Sequence, residues 1–456
     1  MMGRIAAGSF GAAAILMLAG CSGETLPQSA GYGPTPQLPE PRKALVPTVR
    51  IARAASWPEG SKPIAAEGFS TAFYAAGLDH PRWLYVLPNT DVLVAESNAP
   101  AKPSRGLRDW LTAKVMALAG AGSPSADRIT LLRDNDGDGV AETRTVFLQG
   151  VRSPFGMALA KGHLYVAATD AVIRYPYRNG QTRITAPGVK VTDLPAGPIN
   201  HHWTKNLIAS RDGSKLYVTV GSNSNVGENG IAAEEGRAAI WEVDTATGAK
   251  RLFATGLRNP NGMDFEPQTR RLWTVVNERD ELGDDLVPDY LTSVQRGGFY
   301  GWPYSYYGAR LDPRVKPARP DLAARAIVPD YALGAHTAPL GMVFYRGDLL
   351  PERYKGGVFV GQHGSWNRSQ PAGYRVIFVP FKDGRPAGSP EAVLTGFLDD
   401  KGRAQGRPVG VAVDKAGALL VADDVGNMIW RVTRSGPRPA AISSQAAAGL
   451  ASANAP

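Results

Sequence analysis

Along most of this chain the apolar positions fall in short runs that come in pairs, each pair split by a turn holding Asp, Gly, Pro or Asn. Four pairs read LYVLPNTDVLVAE from Leu84, GMALAKGHLYVAATD from Gly156, NLIASRDGSKLYVTVGS from Asn206 and GMDFEPQTRRLWTVVNE from Gly262. Two more read GMVFYRGDLLPERYKGGVFVG from Gly341 and GVAVDKAGALLVADD from Gly410. Two strand-length apolar runs around a polar turn predict a β-hairpin. Six such hairpins, about 50–80 residues apart, predict an all-β fold of repeated units, and a six-bladed β-propeller matches that spacing. A β-sandwich made of hairpins is the alternative this pattern leaves open. The segment Thr71–Tyr74 is a candidate for the strand that closes the ring. One stretch breaks the rhythm. Leu107, Trp110, Leu111, Val115, Met116 and Leu118 recur with a roughly helical period, which predicts a short amphipathic helical insertion in the first blade. Such a helix packs on the propeller rim or faces a membrane or an electron-accepting partner.

Composition agrees with a turn-rich β protein: 52 Gly and 36 Pro in 456 residues. Net charge is +9, but Lys and Arg are scattered without interleaved aromatic patches, so nucleic acid is not an expected partner. No GxGxxG opens a βαβ unit and no GxSxG elbow occurs, which argues against nicotinamide dehydrogenases and serine hydrolases. The N-terminus places Arg4 before an apolar stretch from Ile5 to Ala19 and then Leu18-Ala19-Gly20-Cys21. That stretch is short for a spanning helix and has the form of an export signal. The tetrapeptide resembles the lipobox of bacterial lipoproteins, which implies lipidation of Cys21, a membrane contact through the lipid anchor only, and, with Ser22 following, residence at the outer membrane. An ordinary cleaved signal is the alternative. With a single cysteine there is no disulfide framework. Residues 1–21 are therefore expected to be a signal peptide, 22–65 a flexible Pro/Gly/Ala-rich tether, 66–434 the propeller and 435–456 a disordered tail.

The segments leading into the hairpins read GLDHPRWL, GVRSPFGM, PINHHWTKNL, GLRNPNGM, GAHTAPLGM and GRPVGV. Each carries Arg, His or Asn at about the same point. In a propeller the innermost strands line the central channel, so equivalent leading loops converge on one axis. That gathers Arg82, Arg152, His202, Arg258, Asn259, His336 and Arg407 around one mouth. Crowded like charges are unfavourable without a counter-charge, so the ring predicts an anionic ligand.

The stretches GLDHPRWLYVLPNTDVLVAE, DGDG, NHHWTKNL, GLRNPNGM, GGFYGWP, HTAPLGM and GQHGSWNR resemble the pyrroloquinoline quinone (PQQ)-dependent soluble aldose dehydrogenases, most of all the sorbosone dehydrogenase branch. The resemblance covers residues 66–434, about four fifths of the chain. It implies a bound PQQ, whose three carboxylates suit an Arg/His socket, and a sugar or related alcohol as substrate. It implies His202 as general base, for which an unperturbed pKa of about 6.5 is apt. Arg258 would stabilise charge on the cofactor, Asn259 and Asn261 would hold it, and Arg407 would pair with a carboxylate. His336 is a further cofactor-binding candidate. Arg368 or His363 stands in for a Lys that the glucose-oxidising branch carries. A catalytic Ca²⁺ is implied near NERDELGDD, with Asp280 and Glu281 as candidates by register, although that branch commonly has Gly-Pro there. His201 replaces an acidic residue of that branch, which leaves open what orients His202. Electrons would leave to a diffusible or membrane acceptor, a quinone or cytochrome, since no CxxCH haem motif is present.

DNDGDGVAE presents Asp134, Asp136 and Asp138 at alternate positions before Gly139, the oxygen-rich pattern of a Ca²⁺ loop. Position 12 of a full EF-hand loop would be Glu and is Thr145 here, so Glu142 is the candidate to close the shell. A solvated acidic turn is the other reading. Two rival functions remain open at this point: a calcium-dependent propeller lactonase or hydrolase, and a non-catalytic propeller that binds an envelope partner.

Overall fold

The computed structural model describes residues 25–42, 48–101, 114 and 117–436. Six sheets, each with a core of four antiparallel strands, stand as blades around one axis. Blade 1 is Pro81–Val86, Val92–Glu96, Arg128–Arg133 and Thr143–Gln149, and blades 2 to 5 repeat the same up-and-down order. Blade 6 takes three strands, Pro408–Val413, Leu419–Asp423 and Met428–Arg434, from the C-terminal end and its fourth, Phe69–Ala75, from the N-terminal end. The closing strand thus includes the Thr71–Tyr74 segment. Sandwich packing is excluded.

Both faces of each blade are covered by a neighbour, so the strands next to the innermost ones do not alternate. Every residue of Val92–Glu96, Val358–Gln362 and Leu419–Asp423 is buried. Between blades 1 and 2, Trp83, Leu93, Phe155 and Val166 share one apolar cluster. Burial of this kind, at about 25 cal/mol per Å² of apolar surface, is the main term holding the ring.

The glycine that opens four of the six hairpins has a packing reason. A Cβ on Gly341 would lie 2.3 Å from the Val409 carbonyl oxygen, on Gly410 2.8 Å from that of Arg82, and on Gly262 2.7 Å from that of Leu340. On Gly156 it would lie 2.2 Å from the Leu207 nitrogen. Each innermost strand therefore touches the backbone of the next blade, and only Gly fits. In blade 3 the same position is Asn206, whose amide instead donates to the Asn261 carbonyl at 3.1 Å. The pairing of the first two strands slips at Pro81/Trp83, Pro260/Met263, Pro339/Gly341 and Pro408/Val411. Bulges at the same place in four blades turn the leading residues toward the axis.

The expected tether is corrected wherever it is described. Tyr32–Gly33 pairs with Tyr331–Ala335 at the edge of blade 4, and Ile64–Ala65 pairs with Glu391–Thr395 at the edge of blade 5. The Tyr32 hydroxyl accepts from Arg375 at 2.6 Å, and the Trp57 indole donates to Asp423 at 2.8 Å. Aromatic residues in this Pro-rich segment supply the contacts that keep it on the propeller. Of the helical insertion, Lys114, Ala117 and Leu118 are helical; Leu107, Trp110, Leu111, Val115 and Met116 lie outside the described residues, as do Cys21, the signal sequence and the tail from 437 onward.

Candidate active site

His202 sits in the loop leading to blade 3, half-buried, with its ring edge-on to His201 at a centroid distance of 4.7 Å. Its Nδ1 is 2.9 Å from the Ser222 carbonyl and 3.1 Å from Ser222 Oγ. The Ser222 hydroxyl donates its own proton to the Ser224 carbonyl at 2.6 Å. Both Ser222 oxygens therefore accept from Nδ1–H, which fixes the proton there and leaves the Nε2 lone pair free. Burial, then the charges of His201 and Arg258, pushes the imidazole well below its ordinary pKa. The lowered pKa favours the neutral imidazole at neutral pH. The group that orients it is a main-chain carbonyl with a hydroxyl, not a carboxylate.

Ser222 also donates its N–H to the Arg258 carbonyl at 2.8 Å, so one residue links the leading loops of blades 3 and 4. The Arg258 guanidinium is buried, and all five of its N–H groups have acceptors. Nε donates to the Asn225 carbonyl at 3.1 Å; Nη1 donates to the carbonyls of Glu278 at 2.7 Å and Asn277 at 3.4 Å; Nη2 donates to Asn225 Oδ1 at 3.1 Å and Asp280 Oδ2 at 3.2 Å. Arg258 thus acts on the mouth mainly through its charge.

Asn259 lies beside His202: a Cβ on Gly221 would meet Asn259 Oδ1 at 2.3 Å and His202 Cβ at 2.6 Å. Asn259 Oδ1 is buried without a partner, and so are Asn261 Oδ1 and Asn367 Oδ1. Asn261 donates to Thr204 Oγ1 at 3.2 Å. Beneath the loop, the buried Lys205 donates to Asn200 Oδ1 at 3.4 Å and to the carbonyls of His202 at 3.1 Å and Trp203 at 3.2 Å. Arg237 donates to the same His202 carbonyl at 3.2 Å. Two buried basic side chains without a carboxylate contact among the described residues clamp the main chain of His202. Burial and Arg237 lower Lys205 far below its ordinary pKa.

The expectation of an uncompensated cationic ring is corrected. Arg82 is paired with Asp424, which also faces His363 at 3.0 Å and His80 at 3.6 Å. His336 Nδ1 is 3.4 Å from Asp280 Oδ1, and its Nε2 meets the Gly283 carbonyl at 2.9 Å. Arg368 binds Asp285 Oδ1 at 2.8 Å and the Asp284 carbonyl at 2.9 Å. Arg152 forms an exposed pair with Asp170. Arg407 stands over the Tyr374 ring at 5.1 Å, donates to the Ala52 carbonyl at 3.1 Å, and keeps a buried Nε without a partner. Carboxylates at the ends of the hairpin strands supply most of the counter-charge, so charge crowding alone does not require an anion.

The Asp280–Glu281 candidates also part company. Asp280 accepts from Arg258 and, at 2.7 Å, from Asn367, and it faces His336; Glu281 turns outward to Arg314. They do not converge as a cation pair. Asp134, Asp136, Asp138 and Glu142 do converge, with one oxygen from each within 4.8 Å of the others, and they are the single group of this kind among the described residues. They lie in the hairpin joining the two outer strands of blade 1, away from the axis.

Sequence reasoning missed Ser222, Asn225, Lys205, Arg237, Asn367 and Asp424. A signal existed for two. Second strands end on the polar residues Glu96, Asn277, Gln362 and Asp423, and Ser222 and Asp424 lie two and one residues beyond such ends, after Val220 and Asp423.

A closed six-bladed propeller with an oriented neutral imidazole, an anchored arginine and unpartnered amide oxygens in its leading loops is the class of protein these observations define. The profile of the TrAA12-like family matches residues 125–289 and 321–435. The chain belongs to that family, the AA12 group of PQQ-dependent sugar dehydrogenases. An uncharacterized protein of Borreliella burgdorferi is 29% identical over 294 residues, spanning 62% of this chain and 76% of that protein. The Coprinopsis cinerea pyrroloquinoline quinone-dependent pyranose dehydrogenase is 24% identical over 296 residues, and the match spans 54% of this chain but 39% of that enzyme. The AA12 structure from Trichoderma reesei superposes with a TM-score of 0.66 at 19% identity, over 86% of this chain and 100% of that one.

Proposed function

We propose that this protein is a PQQ-dependent dehydrogenase that oxidises a C–OH group of an aldose, a sorbosone-like aldehyde (as its hydrate) or a related alcohol. The carrying observation is His202: a neutral imidazole with its proton held at Nδ1 by Ser222 and Nε2 free. The residues at the mouth fit the cofactor. Arg407 has an unpartnered N–H that would suit a carboxylate, and the unpartnered amide oxygens of Asn259 and Asn261 would suit a donor such as the ring N–H of the cofactor. PQQ, when bound, supplies an electrophilic quinone carbon that accepts hydride. His202 Nε2 takes the hydroxyl proton as the C–H bond to the carbinol carbon is broken. The fixed Arg258 charge favours negative charge developing at the mouth. Asn259, Asn261 and His336 orient the cofactor. Arg407 would pair with one of its carboxylates through the unpartnered Nε, and Arg368 would act from behind its pair with Asp285.

Ca²⁺ belongs to the same reading: Asp134, Asp136, Asp138 and Glu142 form a structural site. We also propose Cys21 as the lipid anchor of an outer-membrane lipoprotein facing the periplasm, with a membrane quinone or a cytochrome as electron acceptor. The hydrolase alternative needs carboxylates free to hold a metal at the axis, and Asp280, Asp285 and Asp424 are each engaged by Arg or His.

The test is reconstitution of apo-protein with PQQ and Ca²⁺, with dye reduction followed over a panel of aldoses and aldehydes. Turnover that needs PQQ and is lost in His202→Ala supports the reading. Failure of PQQ to bind at micromolar concentration overturns it. Chelation that lowers the melting temperature of wild type but not of Asp136→Ala assigns the blade 1 ion; equal melting curves remove it.

A further inference from the structure

A second cationic feature lies beside the mouth and takes no part in the chemistry above. Arg50, Arg53, Lys401 and Arg403 line a cavity of about 220 Å³ between the N-terminal segment and the loop before blade 6. Arg403 is paired with Asp399 at 2.7 Å, and Arg50 donates to the Ser369 carbonyl. Arg53 and Lys401 have no carboxylate partner among the described residues. The cavity is open to solvent and sits on a positively charged chain, so an anion is the ligand its charge favours.

Its surroundings narrow the choice. Three large apolar side chains nearby are exposed: Val49 at 59%, Leu118 at 48% and Trp366 at 45%. Val49 precedes Arg50, the Arg50 N–H donates to the Trp366 carbonyl at 2.8 Å, and the Ala54 N–H donates to the Leu118 carbonyl at 2.8 Å. Exposed Trp and aliphatic groups mixed with Arg and Lys are the composition of a bilayer interface, where the apolar groups enter the headgroup layer and the cations meet phosphate. A free phosphate site has no use for the apolar groups.

We infer that this face, centred on Arg53, Lys401 and Trp366, binds the headgroups of an anionic phospholipid surface. The N-terminal attachment lies on this side as well. Leu26 donates its N–H to Asp285 Oδ2 at 2.8 Å on the same side of the propeller, and Ser369 donates to Asp284. A lipid on Cys21, five residues earlier in the chain, would hold this side within about 18 Å of the bilayer. The inference does not depend on that lipid or on PQQ.

The experiment uses the full chain carrying Cys21→Ser, sedimented with vesicles of phosphatidylcholine alone and of phosphatidylcholine with phosphatidylglycerol. Any binding by the N-terminus, with Arg4 and its apolar stretch, is common to wild type and to variants of this face, so the difference between them on phosphatidylglycerol vesicles reads this surface. Phosphatidylglycerol is expected to strengthen binding in a salt-sensitive way. Arg53→Gln/Lys401→Gln is expected to weaken that component about 30-fold, and Trp366→Gln to weaken it as well, with melting temperatures unchanged. No effect of phosphatidylglycerol, or a double variant that binds like wild type, overturns the inference. Inorganic phosphate that binds the cavity at submillimolar concentration, with Trp366→Gln indifferent on vesicles, reassigns it to a free anion. Retention on polyglutamate but not on vesicles reassigns it to an acidic macromolecule.

Discussion

Asp280 stands between Arg258 and His336, with Oδ2 3.2 Å from the guanidinium and Oδ1 3.4 Å from the imidazole. Burial acts to raise its carboxyl pKa, and the two cations overcome that, holding it at about 2. Burial likewise acts to lower His336, and Asp280 turns its net shift upward. One carboxylate thus ties residues from two blades together and favours the charged form of His336.

Replacing Asp280 by Asn therefore strands two buried cations. The expected loss is about 3 kcal/mol or more of stability at neutral pH. A raised His336 contributes stability that is complete below about pH 6.5 and fades as pH rises through its folded pKa. Histidine NMR titration should show His336 moving below its ordinary value in Asp280→Asn, because burial then dominates. An unmoved His336 titration would show that the pair is not coupled.

His202 is lowered, so its free-base form is already present at neutral pH. The acid limb of kcat/KM is expected to report an apparent pKa below 6.5. Removing the imidazole in His202→Ala should cost about 10²–10⁴-fold in kcat. Ser222→Ala keeps the carbonyl acceptor but loses the hydroxyl, and should lower kcat by much less than His202→Ala. A Ser222→Ala variant as slow as His202→Ala would mean that the hydroxyl, not the carbonyl, positions the ring.

Glu278 is fully enclosed, and burial pushes its carboxyl up to about 7; Asp289, whose Oδ1 accepts the Glu278 N–H at 2.8 Å, is raised to about 6. The folded state holds these protons more tightly than the unfolded chain does. Each group then costs stability progressively as pH rises from its unfolded value, near 4.3 for Glu, through its folded one. Glu278→Gln should raise the melting temperature at pH 8 more than at pH 5, a difference of about 2 kcal/mol. Parallel curves for variant and wild type would show that Glu278 stays ionised.

Gly341→Ala tests the inter-blade contact. Its new methyl would press on the Val409 carbonyl at 2.3 Å, and backbone cannot give way as a side chain does. The expected cost is about 1–3 kcal/mol, read by chemical denaturation. Gly388→Ala, with nothing within 4 Å of its added carbon, has no such clash and carries only the strain of its positive φ.

The blades were legible because the repeat survives in each hairpin as two apolar runs around a turn, with a leading Gly in four of the six. The closing strand was legible too, because Thr71–Tyr74 has strand pattern without a hairpin partner. The site was legible only in part. His202 and Arg258 stand out by position, but their partners lie far off in sequence, and nothing local shows that Asp424 neutralises Arg82 across 342 residues. The ring of cations therefore looked bare. The Pro-rich 22–65 segment misled for a related reason. It has no periodicity, and its contacts come from single side chains such as Tyr32 and Trp57 landing on distant blades.

That segment has a mechanical consequence. It lays Tyr32–Gly33 on blade 4, Ile64–Ala65 on blade 5 and Phe69–Ala75 on blade 6, in that order. A pull on the N-terminus meets the two-residue attachments first and the seven-residue seam last. Under load the molecule gives way from its shortest grips inward, and the ring stays shut until two sacrificial fastenings have let go.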